Sequence, residues 1–182
     1  MHNTTHMEHT EHSQPVELRQ DTQATPHDRL RQAIEQLATP LHEADPSWCV
    51  FGSYALVLNG VPGIKAHDVD IMLSASGLRH LLGRMPQMTL VHDDRPDSLF
   101  RSLHARIVLD GIEVDLSGDL EIKQAGQWVS VQVRRALHDG LVRYASPQDC
   151  ARLLLLFGRE KDGTRLQALG EWAAQQNITL VP

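Results

Sequence analysis

The sequence predicts an α+β fold in which helices pack on a sheet. Three observations carry that expectation. Two short apolar runs, Trp48–Phe51 and His67–Leu73, read as strands on either side of a short helical stretch. A meander of strands follows, turning on Asp110-Gly111. Two helices at opposite ends of the chain open on capping signals, at Thr25 and at Ser146. Helices followed by a run of strands and then by helices again give layers of the α+β type.

The elements follow in order. In Thr25-Pro26-His27-Asp28, Thr25 can cap a helix, Pro26 suits its first turn and Asp28 stands three residues past the cap. Leu30, Ile34, Leu37 and Leu41 continue as one apolar stripe, and Pro40 is expected to end or kink this helix. Trp48–Phe51 is fully apolar and is cut off by Gly52-Ser53, after which 54–58 reads as a short helix. The strand His67–Leu73 leads to a helix over about 76–84. Strands over 103–109 and 112–116 flank Asp110-Gly111, which suits a two-residue hairpin turn with positive φ at both positions. Residues 127–134 alternate, with Val129, Val131 and Val133 on one face, and 141–145 reads as a further strand. Ser146-Pro147-Gln148-Asp149 repeats the first helix signal, Gly158 can stop that helix, and a last helix is expected over about 163–176.

The chain has 182 residues, 41% hydrophobic and 22% charged, enough for one domain with a buried core. Residues 1–24 carry few large apolar side chains and no periodicity, so a flexible tail is expected, ahead of a single domain over 25–182. His2, His6, His9 and His12 would share a face on a helix and could hold a metal there; a solvated His-rich tail is the plainer expectation. The net charge of −6 argues against a protein that coats nucleic acid through a uniformly basic surface. The excess is uneven: residues 1–120 hold 9 basic and 17 acidic side chains, residues 121–182 hold 8 and 6. Two cysteines, Cys49 and Cys150, make no disulfide framework. With no apolar run of membrane-spanning length and no signal-peptide core, the expectation is a soluble cytoplasmic protein.

The chemistry concentrates in Phe51–Leu56, His67–Met72 and Ile112–Leu116. Asp68 and Asp70 stand two apart on a strand, so their side chains leave one face, with Cα atoms roughly 6–7 Å apart. Two carboxylates on a mostly buried face repel each other unless a cation neutralises them. Asp115, among alternating apolar residues of the hairpin, is the candidate third ligand of an oxygen site suited to Mg²⁺ or Mn²⁺. Glu113 shares its face, and Asp119 follows shortly after. Three carboxylates can hold two ions that clamp both oxygens of a phosphoryl transfer. Gly52-Ser53, a strand end opening a helix, suits a phosphate: Gly52 permits close approach and Ser53 can donate its hydroxyl. Lys65, three residues before Asp68, can add a cation near a triphosphate.

Together, Gly52-Ser53, Asp68-Val69-Asp70 and the later Val114-Asp115-Leu116 resemble the DNA polymerase β-like nucleotidyltransferase superfamily. The runs GSYALVLNG and KAHDVDIML look most like its small bacterial branch, which contains toxin-type (abortive-infection) enzymes. That branch often carries Arg-x-Thr-x-Asp-x-Asp, where this chain has Lys65-Ala66-His67-Asp68-Val69-Asp70. Ser146-Pro147-Gln148-Asp149 followed by Arg159-Glu160-Lys161-Asp162 also resembles it, and the resemblance spans about residues 45–170.

The resemblance implies a nucleotidyltransferase fold: a mixed sheet flanked by helices, carboxylates at one edge of a cleft, and closing C-terminal helices. It implies ATP or another NTP bound with Mg²⁺, Gly52 and Ser53 on the β- and γ-phosphates, and Asp68 and Asp70 on both ions. Asp115 would bind one ion and help deprotonate an acceptor hydroxyl, while Arg159 and Lys161 contact phosphate or acceptor or simply end a helix in solvent. The acceptor stays open between a small molecule, a tRNA end and a protein side chain. Two other classes stay open as well: a non-catalytic nucleotide- or partner-binding module on the same fold, and a metal carrier built on the His-rich tail.

Overall fold

The computed structural model describes residues 24–92 and 98–180. The expected tail, with its four histidines, lies outside the described residues apart from Ala24. Helix α1 spans Pro26–Ala44, and both halves of its capping box are made: Thr25 Oγ1 accepts the Asp28 N–H, and Asp28 accepts the Thr25 N–H at 2.9 Å. Of the two outcomes expected at Pro40, an end or a kink, the end does not occur: α1 runs on to Ala44. Leu41, fully buried one residue later, extends the apolar stripe, and Gln36, whose carbonyl loses its i+4 donor to the proline ring, lies on the exposed side.

Strand β1 (Cys49–Phe51) runs directly into α2 (Gly52–Leu58), and β2 (Asp68–Leu73) leads to α3 (Ala75–Arg84). A short β3 (Thr89–Leu90) precedes the hairpin of β4 (Phe100–Leu109) and β5 (Ile112–Gln124). Asp110 and Gly111 both take positive φ, 49° and 80°, as the expected two-residue turn requires. Strand β5 runs eight residues beyond its expected end because β6 (Gln127–Ser130) folds back and pairs its far half. β6 stops at Ser130, short of the expected 134; Val131 is buried while Val129 is exposed.

Strand β7 (Ala136–Asp139), which lacks an alternating apolar signal, pairs with β8 (Val142–Ala145). Helix α4 (Pro147–Phe157) is capped by Ser146 and stopped by Gly158 in the left-handed region. Helix α5 (Glu160–Gln175) starts three residues before the expected position. Buried Asp162 accepts the Arg159 N–H at 3.1 Å and fixes the first turn ahead of Gly163.

The strands form one mixed sheet in the order β3-β4-β5-β2-β1-β8-β7, with β6 attached to β5. The β2/β5 and β1/β8 pairs are parallel, and the rest are antiparallel. Val50, Val69, Ile71, Val114 and Leu116 belong to the main core together with the apolar stripes of α1 and α3. A second cluster, with Phe51, Met72, Leu120 and Ile122 on the strands, packs against Leu153 and Phe157 of α4. Because side chains alternate along β2, Asp68 and Asp70 emerge on the Met72 side of the sheet. No helix among the described residues is long and apolar enough to cross a membrane.

Candidate active site

Two strand pairings bring the acidic residues together. In the parallel β2/β5 pair, Asp68 stands opposite Glu113 and Asp70 opposite Asp115. In the antiparallel β1/β2 pair, Phe51 stands opposite Asp70, so the start of α2 abuts the Asp70 carboxylate. Gly52 has φ +69°, and a Cβ there would fall 2.3 Å from Asp70 Oδ2. Only glycine meets both conditions at this position.

Asp68 and Asp70 are half-buried, and the side chain of neither makes a hydrogen bond or ion pair among the described residues. Burial, then the charges of Asp68 and Asp115, push the Asp70 carboxyl up to about 6, against the opposing pull of Arg159 and Lys161. Asp115 differs. Burial raises its pKa, but hydrogen bonds from His104 and Arg106 overcome this and hold it below the ordinary carboxylate range. His104 Nε2 lies 3.0 Å from Asp115 Oδ1; Arg106 Nε donates to Oδ1 at 2.8 Å and Nη2 to Oδ2 at 3.1 Å. Arg106 also reaches Glu113 at 3.2 Å.

The donor chemistry bears on a metal residue by residue. Asp68 and Asp70 supply hard oxygen ligands whose charge no neighbouring hydrogen bond compensates, and a divalent cation fits that pair. Asp115 stands in register with them, but Arg106 and His104 occupy its oxygens. Among the described residues, no three or more His, Cys, Asp or Glu side chains converge as a ready-made metal cluster.

Ser53, the second residue of α2, is buried, and its hydroxyl makes no hydrogen bond among the described residues. No side chain caps α2. Lys65 lies exposed on the loop before β2, without a hydrogen bond or ion pair among the described residues, and the cations that act on Asp70 are Arg159 and Lys161.

Gly52 and Asp70 line a cavity of about 290 Å³, with Phe51, Phe100 and Phe157 as its aromatic wall and His104 and Arg159 as polar members. The Arg159 guanidinium sits over Phe157 and Phe100, at 5.1 and 5.8 Å from the ring centres. Asp162 fixes it there, accepting from Nε at 2.7 Å and Nη2 at 3.0 Å. Sequence reasoning did not single out His104, Arg106, Phe100 or Phe157. The first two were readable from the hairpin. A two-residue turn at Asp110-Gly111 pairs Leu109 with Ile112, and counting back places Arg106 opposite Asp115 and His104 opposite Ser117. The aromatic wall gathers β1, β4 and α4, and no local pattern announces it.

No family model matches the chain, and no curated relative does. Solved structures similar to it include the following two. The crystal structure of a "putative nucleotidyltransferase" from Thermotoga maritima aligns over 80% of this chain and 96% of its own, at 19% identity and a TM-score of 0.54. JHP933 from Helicobacter pylori aligns over 74% of this chain and 57% of its own, at 16% identity and a TM-score of 0.37. The mixed sheet flanked by helices is thus a nucleotidyltransferase-like fold, as the likeness to the Thermotoga structure shows.

Proposed function

We propose that the protein is a metal-dependent nucleotidyltransferase of the kind its motifs resemble, moving a nucleoside monophosphate from an NTP, with ATP the first candidate, to an acceptor hydroxyl. The observation that carries the reading is the contact of Gly52 with Asp70. A glycine at this strand-to-helix junction lets the backbone at the start of α2 pack against Asp70, which sets that strand-to-helix turn beside an uncompensated acidic pair where a metal-bound phosphate would sit.

Asp68 and Asp70 would hold Mg²⁺ or Mn²⁺, and Asp115 would join them on releasing its oxygens from Arg106 and His104. Such ions neutralise the triphosphate and the charge that develops during transfer. The chain's own residues bind and orient. The free Ser53 hydroxyl donates to a phosphate oxygen, and Arg159 and Lys161 add positive charge facing Asp70. The aromatic wall excludes water from one side of the cleft. The acceptor oxygen bonds to the α-phosphorus as the bond to the α–β bridging oxygen breaks, and pyrophosphate leaves with that electron pair. Asp115 would receive the hydroxyl proton on giving up its hydrogen bonds to His104 and Arg106, which in the structure hold it ionised. Holding the two reactants in line and neutralising the developing charge are the two contributions such a site makes.

The experiment is incubation with each α-labelled NTP, Mg²⁺ or Mn²⁺, and a lysate then separated into RNA, protein and small molecules. Label in one fraction, lost in Asp68→Asn and Asp70→Asn, supports transfer and names the acceptor class. One observation favours the alternative of a non-catalytic nucleotide-binding module: Arg106 and His104 occupy the oxygens of Asp115. Nucleotide binding without label in any fraction would decide for that module.

A further inference from the structure

The sheet face that carries the carboxylates has a second cavity, of about 320 Å³, at its other end. Along β2 the chain passes from Asp70 to Met72, which lines this cavity together with its β1 partner Cys49. Arg143 enters from β8. Its neighbour Tyr144 pairs with Val50, which sets Arg143 beside Cys49 on the same face. The Arg143 Nε atom is buried with no hydrogen-bond partner, and Arg143 forms no ion pair among the described residues.

No acid around the cavity pairs with this cation among the described residues. Asp149 is committed to the Arg135 N–H and to Arg152, and Asp45 to Ser47 and the Ser74 N–H. Asp119 also lines the cavity; it is exposed and makes no ion pair among the described residues. Ser130 and Gln132 also line the cavity, and their side chains have no hydrogen-bond partner among the described residues. Leu73, Val131 and Val133 supply an apolar wall. An unpaired guanidinium, spare neutral polar groups and an apolar wall in a volume of this size are the makings of a small-molecule pocket. A guanidinium fork matches an oxyanion.

We propose that this cavity binds a small organic oxyanion, a carboxylate or a phosphate ester, seated on Arg143 with its apolar body against Val131 and Val133. The site is separate from the nucleotide cleft; Leu120 lines both and forms part of the wall between them.

The test is titration of the full chain with phenyl phosphate, benzoate and inorganic phosphate, followed by backbone amide NMR shifts. Phenyl phosphate or benzoate should shift the amides of Ser47, Ser130 and Gln132, and whichever binds tighter identifies the anion class. Arg143→Gln should weaken binding by about tenfold or more, and Arg143→Lys should recover part of the loss. Should Arg143→Gln not fold, Gln132→Trp, which crowds the exposed mouth, should block binding in its place. Shifts confined to Gly52 and Asp70, unchanged affinity in Arg143→Gln or Gln132→Trp, or no shift at about 10 mM ligand would overturn the proposal. Loss of ATP binding through Asp70→Asn should leave these shifts intact, so failure of this site and failure of the nucleotidyltransferase reading are told apart.

Discussion

A methyl group on residue 52 would come within 2.3 Å of Asp70 Oδ2, so the backbone of Gly52 is packed directly against an acidic side chain. Replacement by alanine has two consequences. The left-handed φ of +69° becomes strained, at a cost of about 1–3 kcal/mol, and the Asp70 carboxylate must move. Gly60 provides the control, since its φ is +81° but a Cβ there would meet nothing within 4 Å. Gly52→Ala should lower Tm and abolish nucleotide transfer, whereas Gly60→Ala should lower Tm and leave transfer intact. Thermal melts and the transfer assay on both variants check this.

Asp70 trades stability for charge. Its folded pKa of about 6 lies above the ordinary value of 3.8, so the folded state holds its proton more tightly than the unfolded state. The sign follows: relative to alkaline solution, Asp70 adds stability below about pH 4 and loses it as pH rises through about 6, a swing of about 3 kcal/mol. Asp70→Asn should therefore raise Tm at pH 8 in the absence of divalent cations, and the gain should vanish near pH 4. Melts of both proteins across this range measure it.

The Arg106–Asp115 pair runs the other way. Asp115 is held below the ordinary carboxylate range despite its burial, so the pair stabilises the fold above that range, and the benefit is lost as pH falls through it. Arg106 is more than a third exposed, which discounts the interaction to about 1 kcal/mol. Arg106→Ala should lower Tm by roughly 2–4 °C at neutral pH, with the difference fading in acid.

Arg159 reaches the cleft from the N-cap position of α5, pinned by buried Asp162. Arg159→Gln should raise KM for the NTP about tenfold, with a smaller change in kcat, because it removes one charge-assisted contact. Asp162→Ala should have the same kinetic effect. It should also cost about 2–3 kcal/mol in denaturant unfolding, since the Arg159 N–H and guanidinium lose their partner together.

The sequence made much of this arrangement readable, for local reasons. Thr25 and Ser146 mark helix starts because their hydroxyls accept the N–H three residues on, which is a fixed spacing. Asp110-Gly111 marks the hairpin because few residue pairs tolerate two positive φ values, and the turn then dictates which residues face Asp115. Pro40 does not stop α1 because the burial of Leu41 outweighs one missing hydrogen bond. Strands β3 and β7 escaped because a two-residue strand and an exposed edge strand need no apolar alternation. The partners of Arg159 were invisible for a different reason: Phe100 and Phe157 are 57 residues apart and meet only when β4 and α4 close the same cavity.

The central claim is that Asp68 and Asp70, the latter packed against Gly52, hold a divalent cation with an NTP. Calorimetric titration of ATP into the full chain, with and without Mg²⁺, tests it most directly. Binding that needs Mg²⁺ and falls by at least about a hundredfold in the Asp68→Ala/Asp70→Ala double variant is the expected result. Equal affinity in the double variant, with the protein still folded, would contradict the account.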